Sequence, residues 1–262
     1  RSLVGSEMCI RDRTYIGEEK SLPTLDCLQQ MALDILSEKS YEDEEVLYFN
    51  SGNSGGCRPK CLLHDTEGAW LVKFRHTYDP KDMGAMEYRY NEVARKCGIT
   101  VPDFKLMDGK YFATKRFDIE NGIRYHIATA GALLNESIMQ PRLDYKTLLH
   151  LVGYLTQDPK QVDEMFRRMV FNVLTDNKDD HAKNFSFIYK EGNWALAPAY
   201  DLTRCNNGYN GEHATSVNNH GNPTIEDMLI VGESIRIPRK KGKEMILTIA
   251  EGCAELLSKK GI

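Results

Sequence analysis

The sequence predicts an α+β protein with two lobes: a small lobe built on an antiparallel sheet and a larger, mainly helical lobe. Two observations lead to this fold class. Residues from about 46 to 126 contain short apolar strands separated by tight-turn signals, with one amphipathic helix among them. From residue 145 onward, apolar residues recur at helical spacing instead. We therefore assign residues 14–118 to the small lobe and residues 119–262 to the large one.

Composition limits the function classes. The chain has 262 residues, 41% of them hydrophobic and 27% charged, which is typical of a globular protein. Its net charge of -4 gives no reason to expect direct nucleic-acid binding. Seven cysteines without a Cys-x-x-Cys pair argue against a disulfide framework and favour a reducing compartment such as the cytoplasm. No apolar run reaches the length needed to cross a membrane.

The small lobe begins after an unusual leader. Residues 1–13, RSLVGSEMCIRDR, lack the apolar core of a signal peptide, and we expect a non-native or disordered segment there. Apolar residues at helical spacing predict a helix over residues 25–36. The strand candidate VLYFN follows, and then the glycine-rich turn SGNSGGCRPK at residues 51–60. CLLH and AWLVKFR read as two strands joined by Asp-Thr-Glu-Gly.

The rest of the small lobe adds a helix and a hairpin. Spacing predicts the helix over residues 83–97, ended by Cys97-Gly98. FKLM and KYFATKRF flank Asp108-Gly109, which is a strong signal for a tight hairpin turn. Asn121-Gly122 predicts a further turn.

The large lobe is predicted from three apolar stripes. The first runs from Tyr145 to Leu155. The second belongs to a helix opened by Asp158 as N-cap, with Pro159 in the first turn and Gln161 at the capping-box position. A third, from Ile246 to Leu257, predicts one final helix. Between the second and third, FSFIY and WALAP form a hairpin around a Lys-Glu-Gly-Asn turn.

A charged loop, DNKDDHAKNFSF at residues 176–187, lies between the second helix and the hairpin. Asp179 and Asn184 stand as Asp-x-x-x-x-Asn, and Asp201 follows the hairpin. Protein kinases arrange their catalytic loop and metal-binding aspartate in this order. Phosphoryl transfer needs hard oxygen ligands for a divalent metal and a carboxylate near the acceptor hydroxyl. The spacing therefore suggests Asp179 as base, Asn184 and Asp201 as Mg²⁺ ligands, and Lys183 as a cation near the transferred phosphate.

The small lobe offers the complementary groups. Lys73, on a strand after a hairpin, resembles the phosphate-binding lysine of kinases, which is held by a helix glutamate. Glu87 lies at the margin of the buried helix face, whereas Glu92 lies on the solvated face near Lys96. Glu87 is therefore the expected partner. The glycine-rich loop would cover the nucleotide, although it fits neither Gly-x-Gly-x-x-Gly nor a Walker loop.

These motifs resemble those of the HipA-type serine/threonine kinases, the toxins of bacterial toxin–antitoxin modules. The resemblance runs from about residue 46 to 231 and includes GGCRPK, WLVKF, MEYRYNEVARKCGITVP, KRFD, DDHAKNFSF, APAYDLT and GEHATSVN. It implies a protein-kinase-like fold using ATP and Mg²⁺, with His181 and Lys183 beside the base. It also implies nucleotide contacts from Ser54, Gly55, Gly56, Lys73 with Glu87, and the backbone from Lys115 to Phe117.

The resemblance further implies a protein substrate, of the aminoacyl-tRNA synthetase class. The expected partner is a helix-turn-helix antitoxin that carries the DNA binding. Many members carry an additional N-terminal module before the glycine-rich loop. We expect this protein to resemble split systems, in which that module is a separate protein. Members autophosphorylate a serine in the glycine-rich loop, but Asn53 stands at that position, with Ser54 adjacent and Ser51 nearby.

Two other functions remain open from the sequence. One is a nucleotide-binding interaction module that has lost catalysis. The other is a metal-dependent phosphoesterase that uses Asp179, Asp180, His181 and Asp201 to hold two metals.

Overall fold

The computed structural model describes residues 23–37, 58–137 and 140–257. They form two compact units. The sheet unit comprises residues 23–37, 58–89 and 103–116, and the helical unit comprises 90–102, 117–137 and 140–257. Helices together with antiparallel sheets confirm the predicted α+β class. The predicted boundaries after residues 13 and 118 stay predictions. In the described ranges, no helix is both long and apolar enough to span a bilayer.

The sheet unit contains four antiparallel strands in the order β1-β2-β4-β3. Their bounds are β1 Lys60–Asp65, β2 Gly68–Lys73, β3 Phe104–Met107 and β4 Tyr111–Lys115. Asp108 and Gly109 have φ of 49° and 69°, the left-handed values of a tight hairpin turn, and the loop lies between the paired residues Met107 and Tyr111. Both hairpins predicted for this region are present.

Helix α1, Leu25–Leu36, covers one face of this sheet. Its Leu28, Met31 and Ala32 are buried in a cluster with apolar side chains of β2 and β4. Gln29 adds a directional tie, since its Oε1 accepts from the Arg75 amide at 2.9 Å and its Nε2 donates to the Arg75 carbonyl at 3.1 Å. The predicted helix is thus confirmed, and its packing fixes the chain just beyond Lys73.

Helix α2, Met83–Lys96, begins against the β3–β4 turn. A Cβ added to Gly84 would overlap the carbonyl oxygen of Lys110, so glycine lets the helix approach the hairpin closely. Gly98, with φ of 73°, follows the helix as predicted.

Besides the C-terminal part of α2, the helical unit has six helices and five short strands in its described residues. The helices are α3 Ala130–Leu134, α4 Tyr145–Thr156, α5 Pro159–Thr175, α6 Ile225–Ser234, α7 Arg239–Gly252 and α8 Ala254–Leu257. The strands are β5 Ile119–Glu120, β6 Ile123–Arg124, β7 His126–Thr129, β8 Ser186–Lys190 and β9 Asn193–Leu196. They form the pair β5-β6 and the antiparallel sheet β7-β8-β9.

Helix α5 forms the centre of this unit's core. Met165, Phe166, Met169 and Val170 have no exposed surface, which confirms the predicted buried stripe. Burying one such side chain contributes about 1.5–3 kcal/mol. The C-terminal end of α5, where the charged loop begins, is therefore firmly positioned.

Two predicted details are wrong. Asp158 caps α5 by accepting from the Lys160 amide, but Gln161 does not complete a capping box. Its Oε1 instead accepts from the Leu196 amide at 2.6 Å, which ties α5 to β9. The single final helix is also two helices, because the chain turns at Cys253 and the Leu256 amide bonds the Cys253 carbonyl at 2.8 Å.

Candidate active site

The charged loop is held between α5 and β8 by its backbone. Asp176 ends α5 in a left-handed conformation, with φ of 54°. Cys205 then brackets the loop, since its amide donates to the Asp176 carbonyl at 3.0 Å and its carbonyl accepts from the Lys178 amide at 3.1 Å. A short 3-10 turn, Ala182–Asn184, leads into β8. The loop is thereby joined to the segment that follows Asp201.

The two adjacent aspartates of the loop have opposite environments. The Asp179 side chain is 60% exposed, whereas Asp180 is 1% exposed. The Asp180 carboxylate accepts from the Tyr145 hydroxyl at 2.9 Å and the Thr215 amide at 3.2 Å, and it lies 3.0 Å from His213 Nδ1. Asp180 is therefore bonded within the protein interior, and Asp179 is the solvent-accessible carboxylate of the two.

Asp179 lies beside two other predicted site residues. The side-chain nitrogen Nδ2 of Asn184 donates to the backbone carbonyl of Asp179 at 2.8 Å. This bond fixes the loop and directs Asn184 Oδ1 away from that carbonyl. His181 Nε2 is 3.8 Å from Asp179 Oδ1. His181 Nδ1 is buried and has no hydrogen-bond partner among the described residues. The structure thus brings Asp179, His181 and Asn184 together.

Asp201 completes this group. It is exposed and adopts a left-handed conformation, with φ of 53°. The side-chain nitrogen Nδ2 of Asn177 donates to the backbone carbonyl of Asp201 at 3.0 Å. Asn184, Asp201 and Asn177 line one small pocket of the helical unit, together with Arg168 and others.

The residues of this pocket fit a hard divalent cation. Asp201 offers a carboxylate and Asn184 a carboxamide oxygen, the ligand types that Mg²⁺ prefers. Asn177 Oδ1 is buried and makes no hydrogen bond within the described part of the chain. A buried acceptor without a donor favours a bound cation or its water.

The arrangement does not match the phosphoesterase alternative. That function requires Asp180 to act with Asp179, His181 and Asp201, yet the Asp180 carboxylate is enclosed by Tyr145, His213 and Thr215. Over residues 23–37, 58–137 and 140–257, no three His, Cys, Asp or Glu side chains are grouped as a metal site.

Lys183 and Phe117 are both linked to Tyr200. The Tyr200 hydroxyl donates to the Lys183 carbonyl at 2.7 Å and lies 2.5 Å from Ser186 Oγ. Its ring stacks on Phe117, with centroids 6.1 Å apart and planes inclined by 19°. The Lys183 stem packs near Gly131 at the start of α3. Phe117 is thus positioned by a residue adjacent to Asp201.

In the sheet unit, Lys73 forms an ion pair with Glu87, the contact that the helix spacing predicts. Their side chains are 12% and 4% exposed. Lys73 Nζ also lies 5.7 Å from the centre of the Phe112 ring. A largely buried pair of this kind holds the lysine ammonium in one place.

The remaining predicted nucleotide contacts are placed as follows. Lys115 is the last residue of β4, and its amide donates to the Asp103 carbonyl at 2.7 Å. Ser51, Asn53, Ser54, Gly55 and Gly56 lie outside the described residues.

The described part of the chain resumes at Arg58, in the last part of the glycine-rich turn at residues 51–60. Its guanidinium makes two bonds to the Asp79 carboxylate, at 2.8 and 3.0 Å. The bond to Asp79 raises the pKa of Arg58 above its usual value. This pair anchors the C-terminal end of the loop.

Several residues at the site escape sequence reasoning. Asn177, Tyr145 and His213 carry no spacing signal, because their contacts join distant parts of the chain. Arg168 is another: its Nε donates to Glu164 at 3.0 Å and its Nη1 to the Ala197 carbonyl at 2.9 Å. Burial lowers the pKa of Arg168, while the charge of Glu164 opposes that effect.

Comparison with known proteins identifies a family to which this chain is similar. Residues 52–257 match the family described as HipA-like C-terminal domain. A Sinorhizobium fredii protein named "Putative kinase Y4dM" is 29% identical over 174 residues, which cover 58% of this chain and 41% of that protein. A Haemophilus influenzae protein named "Putative kinase" is 33% identical over 89 residues, covering 34% of this chain and 25% of the relative. The chain thus spans less than half the length of these relatives.

Among solved structures, the fold matches the Shewanella oneidensis MR-1 toxin–antitoxin protein HipA, determined in a complex of HipA, HipB and operator DNA. The TM-score is 0.67 at 18% identity, and the match covers 95% of this chain and 67% of that one. At this identity the match shows a shared fold.

Proposed function

Since the chain belongs to the HipA-like C-terminal domain family, we propose that it is an ATP-dependent serine/threonine protein kinase. One observation carries the proposal. Asn184 Nδ2 fixes the backbone carbonyl of Asp179, whose carboxylate is exposed, and Asn184 also lines a pocket with Asp201, where the two side chains offer oxygen ligands. The buried Lys73–Glu87 pair of the sheet unit supplies the cation that this chemistry also requires.

Each residue has a defined task in the proposed reaction. Asp179 orients the serine or threonine hydroxyl and takes its proton as the oxygen attacks the γ-phosphorus; the bond from that phosphorus to the bridging oxygen breaks, and ADP leaves. Lys73 binds the phosphates of ATP, and Glu87 holds Lys73 in position. Asn184 and Asp201 would hold Mg²⁺, which when bound neutralises the phosphate oxygens. Lys183, one residue before Asn184, offsets negative charge on the transferred group.

Lys73→Met tests the ATP site. Because a hydrogen bond to a charged group contributes about 1.5–3 kcal/mol, we expect ATP affinity to fall roughly tenfold or more. Isothermal titration with ATP and Mg²⁺ measures this, and circular dichroism checks folding. Lys105→Met is the matched control, since Lys105 lies in the same sheet unit but pairs with Asp65 and Glu67 at the surface. Equal ATP affinity in the two variants would refute the assignment of Lys73.

The substrate and partner belong to the same proposal. We infer an aminoacyl-tRNA synthetase as substrate and a helix-turn-helix antitoxin as partner, with ATP and Mg²⁺ as cofactors. The HipA structure that shares this fold contains HipB and DNA, which supports an antitoxin partner. The net charge of -4 agrees with leaving DNA contacts to that partner.

Incubation with γ-labelled ATP and host lysate tests the substrate class. We expect label on serine or threonine of a synthetase, identified by mass spectrometry and lost when EDTA removes the divalent metal. Label on tyrosine alone, or labelling that persists in EDTA, would contradict the proposal.

A further inference from the structure

A chain of buried side chains connects Asp180 to Asp201 through the interior of the helical unit. The Asp180 carboxylate accepts from the Tyr145 hydroxyl at 2.9 Å, and that hydroxyl accepts from Asn172 Nδ2 at 2.9 Å. Asn172 Oδ1 accepts from Asn177 Nδ2 at 3.0 Å, and the same nitrogen donates to the Asp201 carbonyl at 3.0 Å. Each of the four side chains from Asp180 to Asn177 is at most 3% exposed. We call this series the Asp180 relay.

The direction of every bond in the relay is fixed by its two ends. A carboxylate only accepts, so the single hydroxyl hydrogen of Tyr145 must point to Asp180. Tyr145 can then only accept from Asn172, which turns Asn172 Oδ1 toward Asn177. Asn177 faces two acceptors, Asn172 Oδ1 and the Asp201 carbonyl, so its NH₂ group must lie on that side.

The orientation of Asn177 leaves its carboxamide oxygen on the opposite side. Asn177 is 2% exposed, and its Oδ1 has no hydrogen-bond partner among the described residues. Asn177 also lines the pocket that contains Asn184 and Asp201. Arg168 lines it too, but its Nε and Nη1 are directed to Glu164 and the Ala197 carbonyl. Leaving a buried acceptor without a donor destabilises the protein, and a bound ligand that donates to it would remove that cost.

We propose that Asn177 Oδ1 accepts a hydrogen bond from a water molecule bound to the divalent cation that Asn184 and Asp201 hold. This inference rests on the proposed kinase function and adds Asn177 to the cation site as a positioning residue. Mg²⁺ keeps several of its waters when it binds protein, so an outer oxygen acceptor suits it. The Asp180 relay fixes Asn177 Oδ1 in this position. If the side-chain amide of Asn172 or Asn177 were flipped, a donor would face a donor or an acceptor would face an acceptor.

Binding of Mn²⁺, with the nonhydrolysable analogue AMP-PNP present, tests the proposal independently of activity. Electron paramagnetic resonance of unbound Mn²⁺ gives the affinity of the full chain. We expect Asn177→Ala to bind Mn²⁺ about tenfold more weakly, the usual effect of losing an outer-shell partner. Tyr145→Phe should also weaken binding, although Tyr145 does not line the pocket, because Asn172 and Asn177 are then able to rotate.

Thr215→Val is the control for general damage to this buried region. It removes the hydroxyl that bonds the Asp180 carbonyl but leaves the Asp180 relay intact. We expect lower thermal stability with unchanged Mn²⁺ affinity. If Asn177→Ala does not fold, the Mn²⁺ affinities of Tyr145→Phe and Thr215→Val are compared instead.

Two results overturn the proposal separately from the kinase function. If the wild type binds Mn²⁺ with nucleotide while folded Asn177→Ala or Tyr145→Phe binds it equally well, the role of Asn177 is wrong and the kinase function stands. If the wild type binds no Mn²⁺ with nucleotide, the cation site itself is wrong, and the proposed function falls with it.

Discussion

At the scale of single residues, environment separates side chains that the sequence leaves equivalent. Asp179 and Asp180 are identical neighbours in the loop, yet one is 60% exposed and the other is enclosed by three donor groups. The identity of the accessible aspartate depends on Tyr145, His213 and Thr215, which lie 33 to 35 positions away in sequence. No local spacing rule contains that information.

The Asp227 carboxylate is expected to make the stability of the folded protein depend on pH. Its oxygens accept from Asn218 Nδ2 at 2.9 Å and from the Thr224 amide and hydroxyl at 2.9 and 2.7 Å, in the capping box that starts α6. These bonds lower the pKa of Asp227, and the bond from Asn218 has the largest effect. The hydrogen bond to His220 lowers it by a smaller amount. The folded state therefore favours the ionised form.

A depressed pKa in the folded state stabilises the protein above the unfolded pKa, and that stability is lost as pH falls through the folded pKa. We therefore expect the unfolding free energy of the wild type to exceed that of Asp227→Asn by about 1 kcal/mol at pH 5, the usual contribution of a helix-capping side chain. The difference should shrink as pH falls from 5 to 3. Urea unfolding across this range measures it. A difference that is constant over that range would contradict the assignment.

At the scale of elements, α5 and its partners set the position of the charged loop. Glu164 Oε1 accepts from the Thr100 amide at 2.9 Å, and Arg168 donates to the Ala197 carbonyl at 2.9 Å. One helix face thus holds the segment after α2 and the segment before Asp201. Breaking a buried pair such as Glu164–Arg168 costs about 3–5 kcal/mol when one charge remains. Its loss is expected to move both segments.

Gly84 tests how the start of α2 positions Glu87, three residues later. Gly84→Ala places a methyl group against the Lys110 carbonyl, so α2 must shift away from the hairpin. We expect a loss of about 1–3 kcal/mol in unfolding free energy and weaker ATP binding, because Glu87 moves relative to Lys73. Urea unfolding and ATP titration measure the two effects.

Gly153→Ala is the matched control, since Gly153 is also inside a helix. There an added Cβ would lie 3.5 Å from Val162 Cγ2, an ordinary contact. Alanine has higher helix propensity than glycine, so this variant should be up to about 1 kcal/mol more stable. If the two variants change stability alike, the close approach of α2 to the hairpin is not what Gly84 provides.

At the scale of the whole molecule, periodicity and turn chemistry predict most elements of the fold. The helix at residues 25–36 and the Asp108-Gly109 hairpin follow from local residue types, which is why the sequence suffices. Helix α6 is missed although Thr224 and Asp227 carry its capping signal. Gln161 is misjudged because a tertiary partner, Leu196, competes with the local cap.

The candidate site is predictable only in part. Asp179, Asn184 and Asp201 follow from motif order, and the Lys73–Glu87 pair follows from helix spacing. Asn177 does not, because the direction of its amide is set by a relay that begins at Asp180 and passes through Tyr145 and Asn172. Such directions emerge only when distant segments are packed together.

The proposed function depends on Asp179 acting as the base in phosphoryl transfer from ATP. The most direct measurement is single-turnover transfer of γ-labelled phosphate at saturating ATP and Mg²⁺, comparing wild type, Asp179→Asn and the control Asp163→Asn, whose carboxylate pairs with Lys241 at the surface. All three proteins are expected to bind ATP equally. Asp179→Asn should transfer about 10²–10⁴-fold more slowly, and Asp163→Asn at the wild-type rate. Equal transfer rates in wild type and Asp179→Asn would contradict the claim.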